Sequence, residues 1–225
     1  NLLLRKIYRL LFLFVAEDRE LLKDANADDA AYLLYKKHYS SQRWRELADQ
    51  IRGSRHHDLW EQLMLVVGAL SGDERFAAQR QTLGLTALGS SLWSVEGTDA
   101  INGNSLGGQA VISNERFLSI MRNLAFTQKD GVHRSVDFRN LGSEELGSVY
   151  EGLLALTPRI EGGGTKFYFE ELSGNQRKTS GSYYTPDSLV KRLLSTALAP
   201  VVQEKLRGLE LEAQESALLS ISVCD

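Results

Sequence analysis

Apolar residues recur at a helical period through the opening of this chain, and no other feature restricts its architecture as strongly. Between residue 2 and about residue 22, Leu3, Ile7, Leu10, Leu11, Phe14 and Val15 form one stripe, with Arg5, Lys6 and Arg9 between them. Positions three and four apart share a helix face, so the stripe predicts a long amphipathic helix whose apolar side must be buried. The runs 28–39 (Ala31, Leu33, Leu34, Tyr35), 41–52 and 58–70 (Leu59, Trp60, Leu63, Met64, Val67) predict three more helices, with Asp58 a candidate N-cap. The first hundred residues therefore read as a helical layer.

A glycine- and serine-rich stretch, 84–108, interrupts that layer with Gly89-Ser90-Ser91, Asn102-Gly103 and Gly107-Gly108, residue types that supply turns and positive φ at little steric cost. Ser113-Asn114-Glu115 then opens a helix through Phe117, Leu118, Met121 and Leu124, and Lys129-Asp130-Gly131 is expected to close it with a turn. A further helix is expected over 144–156, carried by Leu146, Val149, Tyr150, Leu153 and Leu154 and capped by Ser143. After Pro158 the period shortens. Lys166-Phe167-Tyr168-Phe169-Glu170 reads as a strand, Ser173-Gly174-Asn175 as a turn, and the run to Tyr184 as the returning strand of a hairpin. Thr185-Pro186-Asp187-Ser188 starts a helix: Thr can cap, Pro is preorganised at the first helical position, and Asp suits the positive end of the dipole. That helix runs through Leu189, Val190, Leu193, Leu194 and Leu198 to Pro200, where a short second helix follows, and residues 218–225 read as a strand. The organisation expected is a helical region, 1–160, followed by a smaller part, 161–225.

The 225 residues, 43% hydrophobic and 24% charged, suffice for one large domain or two small ones. A net charge of -3 makes no general nucleic-acid surface, so any such contact must come from local groups: Lys36, Lys37, Arg43 and Arg45, then Arg52 and Arg55, then Arg177 and Lys178. Solvated faces account for such groups ordinarily; phosphate contact is the functional alternative, and it would show as steep salt dependence. The single Cys224 can make neither an internal disulfide nor a multi-cysteine zinc site, and the composition suits a reducing, cytoplasmic setting. The start has the look of a signal peptide, but its uninterrupted apolar run, Leu10 to Ala16, is far short of the ~20 residues that span a bilayer. No metal site is expected, because adjacent His56 and His57 point in different directions and lack partners at useful spacing, while His38 and His133 are isolated. Glu144, Glu145 and Glu151 read as acids of a helix start rather than an acid-base pair, and no acidic pair with a nearby lysine suggests a nuclease.

The run from Arg177 to Asp187 is the chain's most informative chemistry: a glycine-loosened segment that carries Tyr183, Tyr184 and Thr185 to a helix start, where free backbone N–H groups can hold a carboxylate. Its plainer reading is a capped helix after a hairpin. Ser180-Gly181-Ser182-Tyr183-Tyr184-Thr185-Pro186 resembles the cofactor-side motif that precedes the catalytic domain in gamma-arrangement adenine-N6 DNA methyltransferases of the type IIG restriction-modification and phage-defence kind. The resemblance implies that Tyr183, Tyr184, Thr185 and Pro186 line the methionine end of S-adenosylmethionine, and that Gly181, Ser182 and Asp225 are cofactor-binding with them. Two further segments are similar to the same enzymes: 136–154, containing Asp137-Phe138-Arg139-Asn140-Leu141-Gly142-Ser143 and Tyr150-Glu151-Gly152-Leu153-Leu154, and 8–19, near the start of their helical region. In that family a strand ending in Asp enters a glycine loop that wraps the cofactor. Asp225 matches that Asp, and the resemblance implies an interior fragment that stops where the loop begins.

The fold so implied is mainly α: a helical domain, a β-hairpin, and the leading edge, a helix plus first strand, of an α/β Rossmann-like methyltransferase domain. The implied partner of the intact enzyme is double-stranded DNA, with no membrane. The family's catalytic tetrapeptide, Asn or Asp followed by two prolines and an aromatic, is not in this sequence, whose Pro158, Pro186 and Pro200 are all separate. No catalytic residue is therefore named, and the chain alone is expected to be inactive. The other reading is a helical module that binds DNA or a partner subunit and carries a vestigial methyltransferase-like tail; an RNA or protein methyltransferase with the same pocket is a third.

Overall fold

Leu10, Leu11, Phe14 and Val15 of the opening apolar stripe are buried along helix α1, Leu2–Asp18, in a computed structural model that describes residues 2–90, 92–93, 111–129, 131–154, 156–171 and 185–222. The chain divides into two units, Asn1–Leu141 and Gly142–Asp225. In the first, α1 is followed by α2 (Asp29–His38), α3 (Ser41–Gln50), α4 (Asp58–Leu70), a 3-10 turn (Glu74–Phe76) and α5 (Ala77–Thr82), then by α6 (Asn114–Ala125). Helix α3 packs on α1 and α6, and α4 packs on α5 and α6. Leu13, Phe14, Tyr35, Trp44, Val66, Leu70, Phe117, Leu118 and Met121 are almost wholly removed from water. Each such side chain stabilises the fold by roughly 1.5–3 kcal/mol before entropy is counted. Trp44 of α3 meets Phe117 of α6 edge-on, with ring centroids 5.5 Å apart, which sets how closely these two helices approach.

Local chemistry explains most helix ends. Asp28 caps α2 by accepting from the Ala30 N–H, Ser40 caps α3 through Arg43, and Ser113 caps α6 through Arg116. Helix α1 ends at Asp18, four residues before the expected limit, because the chain turns left-handed at Glu20, φ 59°. The Glu20 N–H then donates to Glu17 O and the Leu21 N–H to Ala16 O, both at 2.9 Å, the bonding of a Schellman cap. At α4, Asp58 is the first helical residue and not the N-cap; His57 holds the cap position but its side chain accepts no capping N–H. The capping acceptor comes from a distant part of the chain: Asn114 Oδ1 receives the Leu59 N–H at 3.1 Å while Asn114 Nδ2 donates to Asp58 Oδ1 at 2.7 Å. In the last turn of α4, Gly68 allows close packing, since a Cβ there would lie 2.4 Å from the Phe76 ring.

The start of the glycine-rich stretch is stitched to the end of α1: Leu85 bridges Lys23, and the Thr86 N–H donates to Leu22 O at 2.9 Å. Residues 91 and 94–110 lie outside the described residues. Helix α6 stops at Ala125, short of the turn expected to close it. Two antiparallel strands follow, β1 (Phe126–Lys129) and β2 (Val132–Ser135), with Lys129 opposite Val132; Asp130 lies outside the described residues. An Asp-Gly pair between short extended runs is the usual signal of a two-residue hairpin.

In the second unit α7 covers Ser143–Leu154, so Ser143 is in the helix rather than before it. The aromatic strand, β4 (Lys166–Glu171), pairs with the upstream strand β3 (Leu156–Glu161); the turn expected at Ser173-Gly174-Asn175 and the returning run to Tyr184 lie outside the described residues. The reversal is made at Gly162, Gly163 and Gly164, all at positive φ, a conformation glycine adopts without a Cβ clash. Pro158, opposite Phe169, is tolerated because both strands of a two-stranded sheet are edges. Pro186 holds the N-cap position of α8 (Asp187–Leu193) rather than the first helical one. Pro200 does not end the helix. A π turn, Leu194–Leu198, carries it into α9 (Ala199–Leu206), and the wider turn accommodates a ring that would clash with a carbonyl four residues back. Helix α10 (Leu211–Leu219) occupies the start of the strand expected over 218–225, and residues 221–222 are irregular. The composition Leu-Glu-Ala-Gln-Glu-Ser-Ala-Leu-Leu favours helix, and no strand neighbours it among the described residues. The architecture described is mainly helical with two small antiparallel sheets. Among the described residues no helix is long and apolar enough to cross a membrane.

Candidate functional site

The two upstream segments singled out in the sequence, 8–19 and the start of 136–154, come together in the first unit. Phe138 is buried against Phe14 of α1. Arg139 Nε donates to Asp18 O at 2.8 Å, and Arg19 returns the contact, donating through Nε to Arg139 O at 3.0 Å and through Nη2 to Leu141 O at 2.8 Å. Beside them, the Arg45 guanidinium lies 5.2 Å from the Phe14 ring centre and 5.5 Å from that of Phe138 while forming a forked pair with the Asp18 carboxylate. A planar cation with two faces and a donor fork is suited to both tasks at once.

Glu17 is the buried acid of this cluster. Its carboxylate accepts from Ser41 N at 2.8 Å, Ser41 Oγ at 2.9 Å, Gln42 N at 2.6 Å and the Tyr35 hydroxyl. A negative charge is thus placed on the free N–H groups that begin α3, where the helix dipole favours it. Burial, and then the Glu17 charge, raise the Tyr35 hydroxyl well above the ordinary tyrosine value, so it remains a donor. Tyr32, stacked on Tyr35, is pushed up to about 12 by burial and by Glu17 and Glu20. Two acids in the last turn of a helix oppose its dipole, and that anomaly at Glu17 and Asp18 was the available sequence signal for a network here.

Next to the network is an open cavity of about 610 Å³. Six of its lining side chains are acidic, including Glu46, Asp49 and Asp137, and three are basic: Lys36, Arg45 and Arg139. Arg45 and Arg139 already face Asp18. Such a lining disfavours phosphate and presents no nucleophile beside a base; its chemistry is that of a structural joint.

Of the residues expected to hold a cofactor, Thr185 and Pro186 are exposed at the start of α8, where Pro186 O accepts from Leu189 N at 2.9 Å and Val190 N at 3.2 Å. Asp187, next in the chain, pairs with Lys191, whose pKa that contact raises. Gly181, Ser182, Tyr183, Tyr184 and Asp225 lie outside the described residues, as do Arg177 and Lys178.

The basic groups divide. Lys36 stands 3.6 Å from Glu20 and over the Tyr32 ring, Arg43 reaches His38 O and Gln62, and Arg45 is internal. Arg52 and Arg55 are exposed on the segment between α3 and α4. His57 pairs with Glu61 and His133 with Asp49, both at 3.2 Å, and no cluster able to hold a metal occurs among the described residues. No protein-family model matches this chain, and no curated protein or solved structure matches it.

Proposed function

We propose that this chain is part of an adenine-N6 DNA methyltransferase of a restriction-modification or phage-defence system. The observation that carries the reading is the run Ser180-Gly181-Ser182-Tyr183-Tyr184-Thr185-Pro186 ahead of a helix start. Thr185 and Pro186 stand open to a ligand there, and the neighbouring Asp187 charge is offset by Lys191. Bound S-adenosylmethionine supplies the methyl group. In this reading Tyr183, Tyr184, Thr185 and Pro186 orient its methionine end, and the residues that hold a flipped adenine belong to further sequence of the same protein, since no adjacent prolines occur in these 225 residues. The docking of 136–141 on α1 supports a common origin for the two upstream segments that share the resemblance. The second unit buries no side chain among its described residues and leaves Ile160, Phe167, Leu189 and Leu193 half or more exposed, which suits the leading edge of a larger α/β domain.

The test is calorimetric titration of S-adenosylmethionine into the full-length protein and into its Tyr184→Ala variant, followed by assay of methyl transfer to duplex DNA. Binding that weakens at least roughly tenfold in the variant, a loss of about 1.4 kcal/mol, together with N6-methyladenine as product, is the expected result. The 225-residue chain alone should transfer no methyl group. Absence of cofactor binding by the full-length protein would replace this reading with that of a helical interaction module.

A further inference from the structure

The segment between α3 and α4 is unusual in how its hydrogen-bonding groups are divided. Three of its carbonyls are occupied from within: Ile51 O accepts from Arg122 Nη2 at 2.9 Å, Ser54 O from Glu115 N at 3.0 Å, and His56 O from Asn114 N at 2.6 Å. The backbone N–H groups of residues 52–57 donate to no acceptor among the described residues. Gly53 makes this seating possible, because at φ 95° a Cβ would stand 2.7 Å from Glu115 N and 2.8 Å from Asn114 O. The segment is therefore pinned through the Ile51, Ser54 and His56 carbonyls, and its N–H groups at 52–57 are open.

Its side chains have the same bias. Residues 51–58 are all exposed, and Arg52, Arg55 and the exposed Arg116, two residues past Asn114, engage no carboxylate among the described residues. Of the nearby acids, Asp49 is paired with His133, Glu61 with His57, and Asp58 with the Asn114 amide. Glu115 alone has no side-chain partner, and with Arg52 and Arg122 it lines an adjoining hollow of about 490 Å³. We propose that residues 52–57 together with Arg116 form a contact site for the phosphate backbone of duplex DNA.

A phosphodiester offers only acceptors, so it is matched by a surface of free N–H groups and guanidinium forks. Three exposed guanidinium groups on two elements offer more forks than one phosphate takes up; a polymer of phosphates fits them better than a single anion does. The choice of DNA rests on the methyltransferase reading, whereas the donor surface does not.

The experiment is fluorescence anisotropy of a labelled duplex of about 20 base pairs, titrated with the 225-residue chain at several salt concentrations. The comparison is with Arg52→Gln/Arg55→Gln/Arg116→Gln and with Lys37→Gln/Arg134→Gln, two exposed basic positions elsewhere in the same unit. The triple variant should lose roughly tenfold or more in affinity at low salt and flatten the slope of log K against log salt by about 2–3. The double variant should bind like the parent. Circular dichroism melts show whether each variant is folded, and Arg55→Lys, which keeps the charge, should recover part of the affinity if the site rather than the fold was affected. No binding by the parent chain, equal losses in both variants, an unchanged salt slope, or preference for RNA over duplex DNA would each overturn the site. If the full-length protein fails to bind S-adenosylmethionine while these arginines still carry DNA binding, the methyltransferase reading falls and the site stands. If methylation proceeds and the triple variant binds normally, the site alone falls.

Discussion

Phe138 meets Phe14 edge-on, with ring centroids 5.0 Å apart and planes at 72°, across 124 positions of sequence. Both rings are almost wholly removed from water, and the Arg45 guanidinium faces the two of them. The contact fastens the segment that leaves the first unit onto the helix that begins it.

Phe138→Ala should therefore destabilise the first unit by about 3–5 kcal/mol, the usual cost of deleting a buried aromatic ring. Urea unfolding measures the loss. Hydrogen exchange should show faster exchange at Val136, whose N–H donates to Ala125 O, and at Asn140, bonded to Asp137. A loss below about 1 kcal/mol with unchanged exchange would mean that the segment is held by its backbone contacts to Asp18 and Arg19 alone.

Tyr35 makes alkaline stability a readout of the Glu17 network. Its hydroxyl titrates well above 10 in the folded protein and near 10 when unfolded. The unfolded chain therefore gives up the proton first, and stability present below pH 10 is lost as pH rises from there toward the folded value. Tyr32, at about 12, contributes with the same sign between pH 10 and 12. At pH 7 Tyr35→Phe removes a donor from a buried carboxylate and should cost about 1–3 kcal/mol. Above pH 10 the gap between variant and parent should close, because the variant has lost that titration. Chemical unfolding at pH 7, 9 and 10.5 checks this; a gap that widens with pH would refute the assignment.

Glu20 is the described non-glycine residue with positive φ, at the C′ position of the α1 cap. A side chain there costs roughly 1–2 kcal/mol relative to glycine, and the Lys36 contact at 3.6 Å is too exposed to offset it. Glu20→Gly should raise stability by about 1 kcal/mol, read as an upward shift in the urea midpoint with the slope unchanged. A fall in the midpoint would mean that the Glu20 charge, not the backbone turn, is what matters at this helix end.

The elements of this protein that neighbouring residues specify could be read directly from its sequence. The stripe of Leu10, Phe14 and Val15, the Ser113 cap and the helical run 58–70 all depend on groups within four positions of one another, and such interactions form whatever the rest of the chain does. Choices among partners were not legible. That the aromatic strand at 166–171 pairs with Leu156–Glu161, across a reversal at Gly162–Gly164, was one such choice. Leu218 and Leu219 fit a buried strand or a helix equally well by hydrophobicity, and with no strand beside them among the described residues they joined α10. Asn114 caps a helix 55 positions away, and Glu17 places its charge on a helix start 24 positions on. The candidate cofactor residues Thr185 and Pro186 came from local sequence, whereas the seating of 52–57 depends on α6, whose Glu115 and Asn114 N–H groups take the Ser54 and His56 carbonyls. Short-range periodicity and capping were determined by sequence alone; tertiary structure decided which distant group satisfies each buried charge and backbone atom, because that depends on where the helices meet.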